Sequence, residues 1–175
     1  MKRLNKDKLA VVLLSGGVDS SVVAYLLKKR GYRVIGLTLK LWPKEFCGVL
    51  GEKSCCSVEG IESARSICGK LNISHYVINL EKEFSRQVID YFCKSYESAL
   101  TPNPCIICNE KIKFDLFLNK ARALNADYIA SGHYAKVSFD RNSKRFFIKE
   151  ASDRHKDQSY VLFSLSQEVL SKLYG

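Results

Sequence analysis

The sequence predicts an α/β fold: a doubly wound, mostly parallel sheet with helices on both faces and a β-hairpin inserted near the C-terminus. Three observations predict it. Short β-rich apolar runs alternate with amphipathic helical stretches along most of the chain, the pattern of successive β–α–β crossovers. A Gly-Gly turn directly follows the first apolar run and opens a helix, as at the carboxyl end of a parallel strand. Residues 136–151 read as a hairpin turning at Asp140-Arg141-Asn142-Ser143.

The elements follow in order. The apolar run at residues 9–14 is the first strand, and residues 19–30 form the helix after it. Residues 33–41, 74–80 and 126–135 are further β-rich runs. Between them lie helical stretches at 58–71, 81–100 and 110–124, the last carrying Ile112, Phe114, Leu116, Phe117, Ala121 and Leu124 at helical spacing. Residues 42–57 read as a loop holding Cys47, Cys55 and Cys56. Residues 101–105 are excluded from regular helix by Pro102 and Pro104. A short amphipathic helix precedes Leu173-Tyr174-Gly175.

Composition narrows the function classes. A chain of 175 residues, 46% hydrophobic and 26% charged, has room for one good core. No apolar run approaches a membrane span and the N-terminus lacks a signal-type apolar region, so the expectation is a cytoplasmic protein with no membrane partner. Seven cysteines, an odd number, argue for reduced thiols rather than a disulfide scaffold. The net charge of +10 suggests an acidic partner such as nucleic acid, with Arg141, Lys144, Arg145, Lys149, Arg154 and Lys156 gathered late. A merely solubilising basic surface is the bland alternative.

Ser15-Gly16-Gly17-Val18-Asp19-Ser20 carries the first chemistry. Glycines let the backbone turn tightly and approach a ligand. The N–H groups of the loop and the helix start then face an anion, helped by the helix dipole. Ser15 and Ser20 add hydroxyl donors, while Asp19 suits either a magnesium ion or the helix cap. No Lys follows the glycines, so the Walker A pattern is excluded.

Thr101-Pro102-Asn103-Pro104-Cys105-Ile106-Ile107-Cys108 carries the second. A proline-rigid loop delivers two cysteines close to a helix N-terminus, where a thiolate is stabilised and nucleophilic. Cys105 and Cys108 supply two of zinc's four ligands, which Cys55 and Cys56 would complete; a C-x-x-C also suits an iron–sulfur cluster. His133 is read either as a site residue or as a satisfied core histidine at a strand end.

The Ser15 loop resembles the SGGxDS loop of the PP-loop ATP pyrophosphatases, of the adenine nucleotide alpha hydrolase-like fold. With Cys55-Cys56-Ser57, the Thr-Pro-Asn-Pro loop, Ala130-Ser131-Gly132-His133-Tyr134-Ala135 and Lys156-Asp157-Gln158-Ser159-Tyr160 in that order, the chain resembles the tRNA-specific 2-thiouridylases. That resemblance implies adenylation of the C2 oxygen of wobble uridine 34 in tRNA, with ATP and Mg²⁺, followed by sulfur transfer from a cysteine persulfide. It implies that Leu13, Leu14, Ser15, Gly16, Gly17, Val18, Asp19 and Ser20 line the ATP, with Gly132 in the same site and Leu39 against the adenine. It implies that Asn103, Pro104 and Cys105 approach the target base, that His133, Lys156, Asp157 and Gln158 touch tRNA, and that Cys108 is the nucleophile. An upstream persulfide sulfur carrier is the implied protein partner. Many relatives place Asp where this chain has Cys105, which removes a carboxylate acid/base. The family also uses a second, persulfide-bearing cysteine further downstream, and no Cys follows Cys108 here. The expectation is therefore the N-terminal catalytic portion of a longer protein, which binds ATP but does not complete sulfur transfer by itself. Alternatives are another PP-loop tRNA sulfurtransferase, an ATP- or tRNA-binding fragment without net thiolation, and a zinc protein.

Overall fold

The computed structural model describes residues 5–42 and 58–174. Cys47, Cys55, Cys56 and Ser57 therefore lie outside the described residues. Two compact units divide the chain: Met1–Asn79 with Ala121–His133, and Leu80–Lys120 with Tyr134–Gly175.

The first unit is a parallel sheet. Strands β1 (Leu9–Leu13), β2 (Arg33–Lys40), β3 (Ser74–Asn79) and β4 (Tyr128–Ala130) take the order β3-β2-β1-β4, all pairs parallel. Leu9, Ala10, Val11 and Val12 are all buried, so both faces of β1 are covered, as a central parallel strand requires. Helix α1 (Val18–Lys29) buries Ser20, Ala24 and Leu27, spaced to fall on one face. Helix α2 (Val58–Leu71) buries Ala64 and Cys68 in the same way. Burial raises the Cys68 thiol pKa, which makes it a core group and not a reactive one.

Strand order reverses between β1 and β4, which makes the carboxyl ends of these strands the switch point where α/β proteins bind ligands. The opposite ends are pinned. Asp127 accepts the Leu9 N–H through Oδ2 at 2.8 Å while its own N–H donates to the Leu9 carbonyl at 2.9 Å. Lys8 donates to the Tyr128 hydroxyl at 3.0 Å and lies over that ring, which raises the Lys8 pKa. The fourth β-rich run, expected over residues 126–135, is strand only at Tyr128–Ala130. The reason lies at Gly132, whose backbone packs on α1 and not on a neighbouring strand.

The second unit holds two helical runs and the hairpin. Residues 81–97 are continuous helix, α3 (Glu81–Phe84), a π-helical stretch Ser85–Ile89 and α4 (Asp90–Glu97). The second run begins at α5 (Pro104–Ile107), continues as π-helix over Cys108–Leu116 and passes into α6 (Phe117–Ala123), whose residues from Ala121 on belong to the first unit. This corrects the expectation that Pro104 and Cys105 stand outside helix. Pro104 occupies the first helical position, where a missing N–H costs nothing and its fixed φ suits the helix. Strands β5 (Lys136–Asp140) and β6 (Arg145–Lys149) form the antiparallel hairpin. The turn sits one residue later than the sequence suggests, with Lys144 at φ 53°. Helix α7 (Gln167–Lys172) follows, and its Gln167 side chain pairs with both the N–H and the carbonyl of Phe146 at 2.8 Å.

Two consequences are measurable. A Cβ at Gly36 would lie 2.6 Å from Leu14 Cδ1 and 2.7 Å from Cys68 Sγ, both side chains being 1% exposed. Gly36→Ala is expected to cost about 1–3 kcal/mol of stability, read as a lower urea midpoint at unchanged slope. His75 hydrogen-bonds Thr38 Oγ1 at 2.8 Å, and burial, then Arg65, lowers its pKa. The folded state thus takes up fewer protons than the unfolded one as pH falls through about 6.5. Stability is expected to decline over that window and below it, down to the lowered pKa. A His75→Gln variant is expected to lose that part of the slope.

Candidate functional site

The Ser15 loop leaves the carboxyl end of β1, held there by the Leu14 N–H donating to the Leu37 carbonyl at 2.8 Å. Gly16 takes φ 82°, and a Cβ there would lie 2.2 Å from the Gly60 carbonyl oxygen. Only glycine meets both demands. Gly17, at φ −78° and ψ 165°, caps α1. The N–H groups of Val18, Asp19 and Ser20 precede the helix's first hydrogen bond, from Ser21 N–H to the Gly17 carbonyl at 3.3 Å, and so open toward the loop.

The hydroxyls act inside the loop. Ser20 Oγ accepts the Ser15 N–H at 3.3 Å and donates to the Gly17 carbonyl at 3.1 Å. With Ser20 4% exposed, its hydroxyl braces the turn. Ser21 Oγ adds a second donation to the same carbonyl at 2.7 Å. Ser15, Gly17, Val18 and Asp19 face solvent. On the other side of the switch point a Cβ at Gly132 would lie 2.7 Å from the Ser20 nitrogen and 3.0 Å from its Cα. The chain after β4 thus rests directly on the first turn of α1. His133, next in sequence, pairs its Nδ1 with Ser131 Oγ at 2.9 Å.

Within the first unit, then, the structure brings together residues 13–20 and Gly132. Leu14 and Leu39 are buried, and Leu13 is half-buried. What Leu39 offers a ligand beyond β2 is therefore its backbone. This arrangement suits a polyphosphate: backbone N–H groups, a helix N-terminus and an exposed carboxylate at Asp19 within one turn.

The second unit carries the cysteines. Asn103 caps α5, its Oδ1 accepting the Cys105 N–H at 3.0 Å. Cys105 is exposed and Cys108 is 8% exposed. Asn109 Nδ2 donates to the Cys105 carbonyl at 2.9 Å, holding the turn between the two thiols from the inside. Glu110 pairs with Lys111 at 2.6 Å, which lowers the carboxyl pKa and raises that of the ammonium. Among the described residues no group of three or more His, Cys, Asp or Glu side chains is arranged to hold a metal ion.

Lys156, Asp157 and Gln158 have distinct surroundings. Gln158 and Tyr134 exchange two hydrogen bonds, at 3.0 and 2.8 Å. Asp157 accepts from the Ala151 N–H at 2.7 Å and from the Ser159 hydroxyl at 2.5 Å, contacts that lower its pKa, Ser159 foremost. Lys156 is exposed, its ammonium 5.3 Å over the Tyr134 ring. Asp157 and Gln158 thus shape the turn that presents Lys156. Sequence reasoning missed Gly60, Ser21 and Asn109. A lone glycine inside a helical pattern was the available signal for Gly60; nothing local marks the other two.

No helix among the described residues is long and apolar enough to cross a membrane. Among solved structures, glutamine-dependent NAD⁺ synthetase from Acinetobacter baumannii in complex with ADP superposes with a TM-score of 0.50 at 11% identity, covering 74% of this chain and 22% of that one. The likeness is one of fold. The tRNA-specific 2-thiouridylase MnmA of Caldicellulosiruptor saccharolyticus is 48% identical over 167 residues, 94% of this chain and 46% of that protein. That of Moorella thermoacetica is 50% identical over 161 residues, 92% and 45% respectively. The chain therefore spans a little under half the length of these curated relatives. The model of the tRNA methyl transferase HUP domain matches residues 8–174, and the chain belongs to that family.

Proposed function

We propose that this chain is the ATP-using part of a tRNA 2-thiouridylase acting on wobble uridine 34. The observation that carries the reading is the Ser15 loop, a glycine-built turn that opens a helix at the switch point of a parallel sheet, in a chain about half of whose residues match those of 2-thiouridylases.

A uridine C2 carbonyl is a poor electrophile. Attack of its oxygen on the α-phosphate of ATP releases pyrophosphate and turns that oxygen into a leaving group. The outer sulfur of a cysteine persulfide then attacks C2 as AMP departs, and the Cys108 thiolate attacks the inner sulfur of that adduct, so that the S–S bond to the outer sulfur breaks, the two cysteines are left joined as a disulfide and sulfur stands where oxygen was. In this reading the N–H groups at Val18, Asp19 and Ser20 hold the phosphates and stabilise charge that builds up during transfer. Gly132 keeps that turn open to the nucleotide by carrying no side chain, and the backbone at Leu39 borders the adenine. Asp19 is the residue suited to Mg²⁺, which neutralises phosphate charge when bound. Asn103, Pro104 and Cys105 face the target base, Cys108 serves as nucleophile, and His133 and Lys156 contact tRNA, the latter on a turn shaped by Asp157 and Gln158. A protein carrying sulfur as a persulfide supplies the donor.

The test follows α-labelled ATP with Mg²⁺, with and without tRNA bearing a wobble uridine. AMP and pyrophosphate that rise with tRNA are expected; ADP and phosphate would overturn the reading. In the thiolation-competent protein, Cys108→Ser is expected to abolish 2-thiouridine while ATP binding persists; undiminished thiolation removes Cys108 from its role. Gly132→Ala drives a methyl group into the backbone of Ser20. It is expected to weaken ATP binding by about tenfold or more, a loss on the order of 1.4 kcal/mol, read by calorimetric titration.

A further inference from the structure

The β-hairpin carries a surface that none of these roles uses. Its register pairs Lys136 with Lys149, Ser138 with Phe147 and Asp140 with Arg145. Strand alternation puts these six on one face. On that face Arg145, Phe147 and Lys149 stand at alternate positions of β6, and all are exposed. Phe147 is 39% exposed and the Lys149 ammonium lies 5.1 Å from its ring centroid. The opposite face is where Phe139 and Phe146 meet, ring centroids 4.8 Å apart. Phe147 therefore plays no part in that aromatic pair.

Two further observations say what kind of partner fits. Within residues 136–149 the bases Lys136, Arg141, Lys144, Arg145 and Lys149 face a single acid, Asp140. That acid is turned back into its own loop, accepting from the Asn142 N–H at 3.0 Å and the Ser143 hydroxyl at 2.7 Å. Beside Phe147 lies an open groove of about 520 Å³, bordered by Arg145, Asp140, Ser143 and Gln167 among others. An exposed ring with a flexible lysine ammonium over one face and an arginine beside it, next to a groove with hydrogen-bonding walls, is the chemistry that stacks an unpaired base and tracks its phosphates. The platform is also held still: Gln167 ties both backbone groups of Phe146, the residue before the ring.

We propose that this hairpin face docks a single-stranded segment of RNA, a base stacking on Phe147 with flanking phosphates on Arg145 and Lys149. The proposal rests on the tRNA reading above and extends it, naming a contact surface separate from the Lys156 turn.

The experiment measures equilibrium binding of a tRNA transcript to the full chain at several salt concentrations. Wild type, Phe147→Ala, Phe147→Tyr and the double variant Arg145→Ala, Lys149→Ala are compared, with thermal unfolding confirming that each is folded. Phe147→Ala is expected to weaken binding by about 5- to 150-fold, the range of a lost base–aromatic stack, while Phe147→Tyr keeps the ring and restores it. The double variant is expected to reduce the salt slope by about 1 to 2. Unchanged affinity and slope in folded variants, with wild type binding tRNA, would overturn the hairpin proposal and leave the functional reading standing. Variants that alter self-association in sedimentation without changing tRNA affinity would assign the face to a second copy of the chain, and so overturn it as well. Wild type that turns over ATP but binds no tRNA would remove the functional reading and this proposal together.

Discussion

The rest of the first unit depends on one close approach, the backbone of Gly132 resting on the first turn of α1. β1 and β4 run parallel in a register set at their far end by Asp127 and Leu9. At the near end, the chain leaving β4 must pass within van der Waals contact of the Ser20 backbone. A side chain there would separate the strands' carboxyl ends or displace the helix. The Ser15 loop meets a matching constraint on its other flank, where Gly16 approaches the Gly60 carbonyl. The loop's shape is thus set by main chain packed on main chain, the hydroxyls of Ser20 and Ser21 tying it shut from within.

What could be read from the sequence follows from what is local. Strands β1, β2 and β3 were legible because runs of β-branched and apolar residues bounded by turn residues suffice to mark a buried parallel strand. The Ser15 loop was legible because its glycines are needed for reasons of backbone geometry that any sequence displays. Residues 131–135 were misread as strand because the feature that ends β4 is a contact with α1, more than a hundred positions away in the chain. Pro104 was misread for a different reason. Two prolines two apart suggest irregular chain, but Asn103 ahead of Pro104 is a cap followed by a favourable first position, and the cap decides. The π-helical stretches leave no mark in a search for a 3.6-residue period.

The candidate site divides the same way. Its Ser15-loop half was visible in six adjacent residues, whereas the supports are scattered. Asn109 looks in the sequence like any helical polar residue, yet it is 3% exposed and closes the turn between Cys105 and Cys108. Asp157 and Gln158 look like solvent-facing charge and amide, yet their hydrogen bonds go inward, to Ala151, Ser159 and Tyr134. Only Lys156 of that triplet keeps the exposed character its type suggests.

The two cysteines of the α5 turn meet solvent differently, and this bears on how such a site works. Cys105 is open at the capped start of the helix, whereas Cys108 sits one turn further on and 8% exposed. A buried nucleophile reacts only as often as its surroundings open. The bond from Asn109 to the Cys105 carbonyl holds the turn on which Cys108 sits. Slow reaction with small solutes is the cost, and protection of the sulfur from oxidants is the return. In the proposed thiolation, where water would destroy the adenylate, a nucleophile uncovered only once substrate has displaced solvent is the safer arrangement.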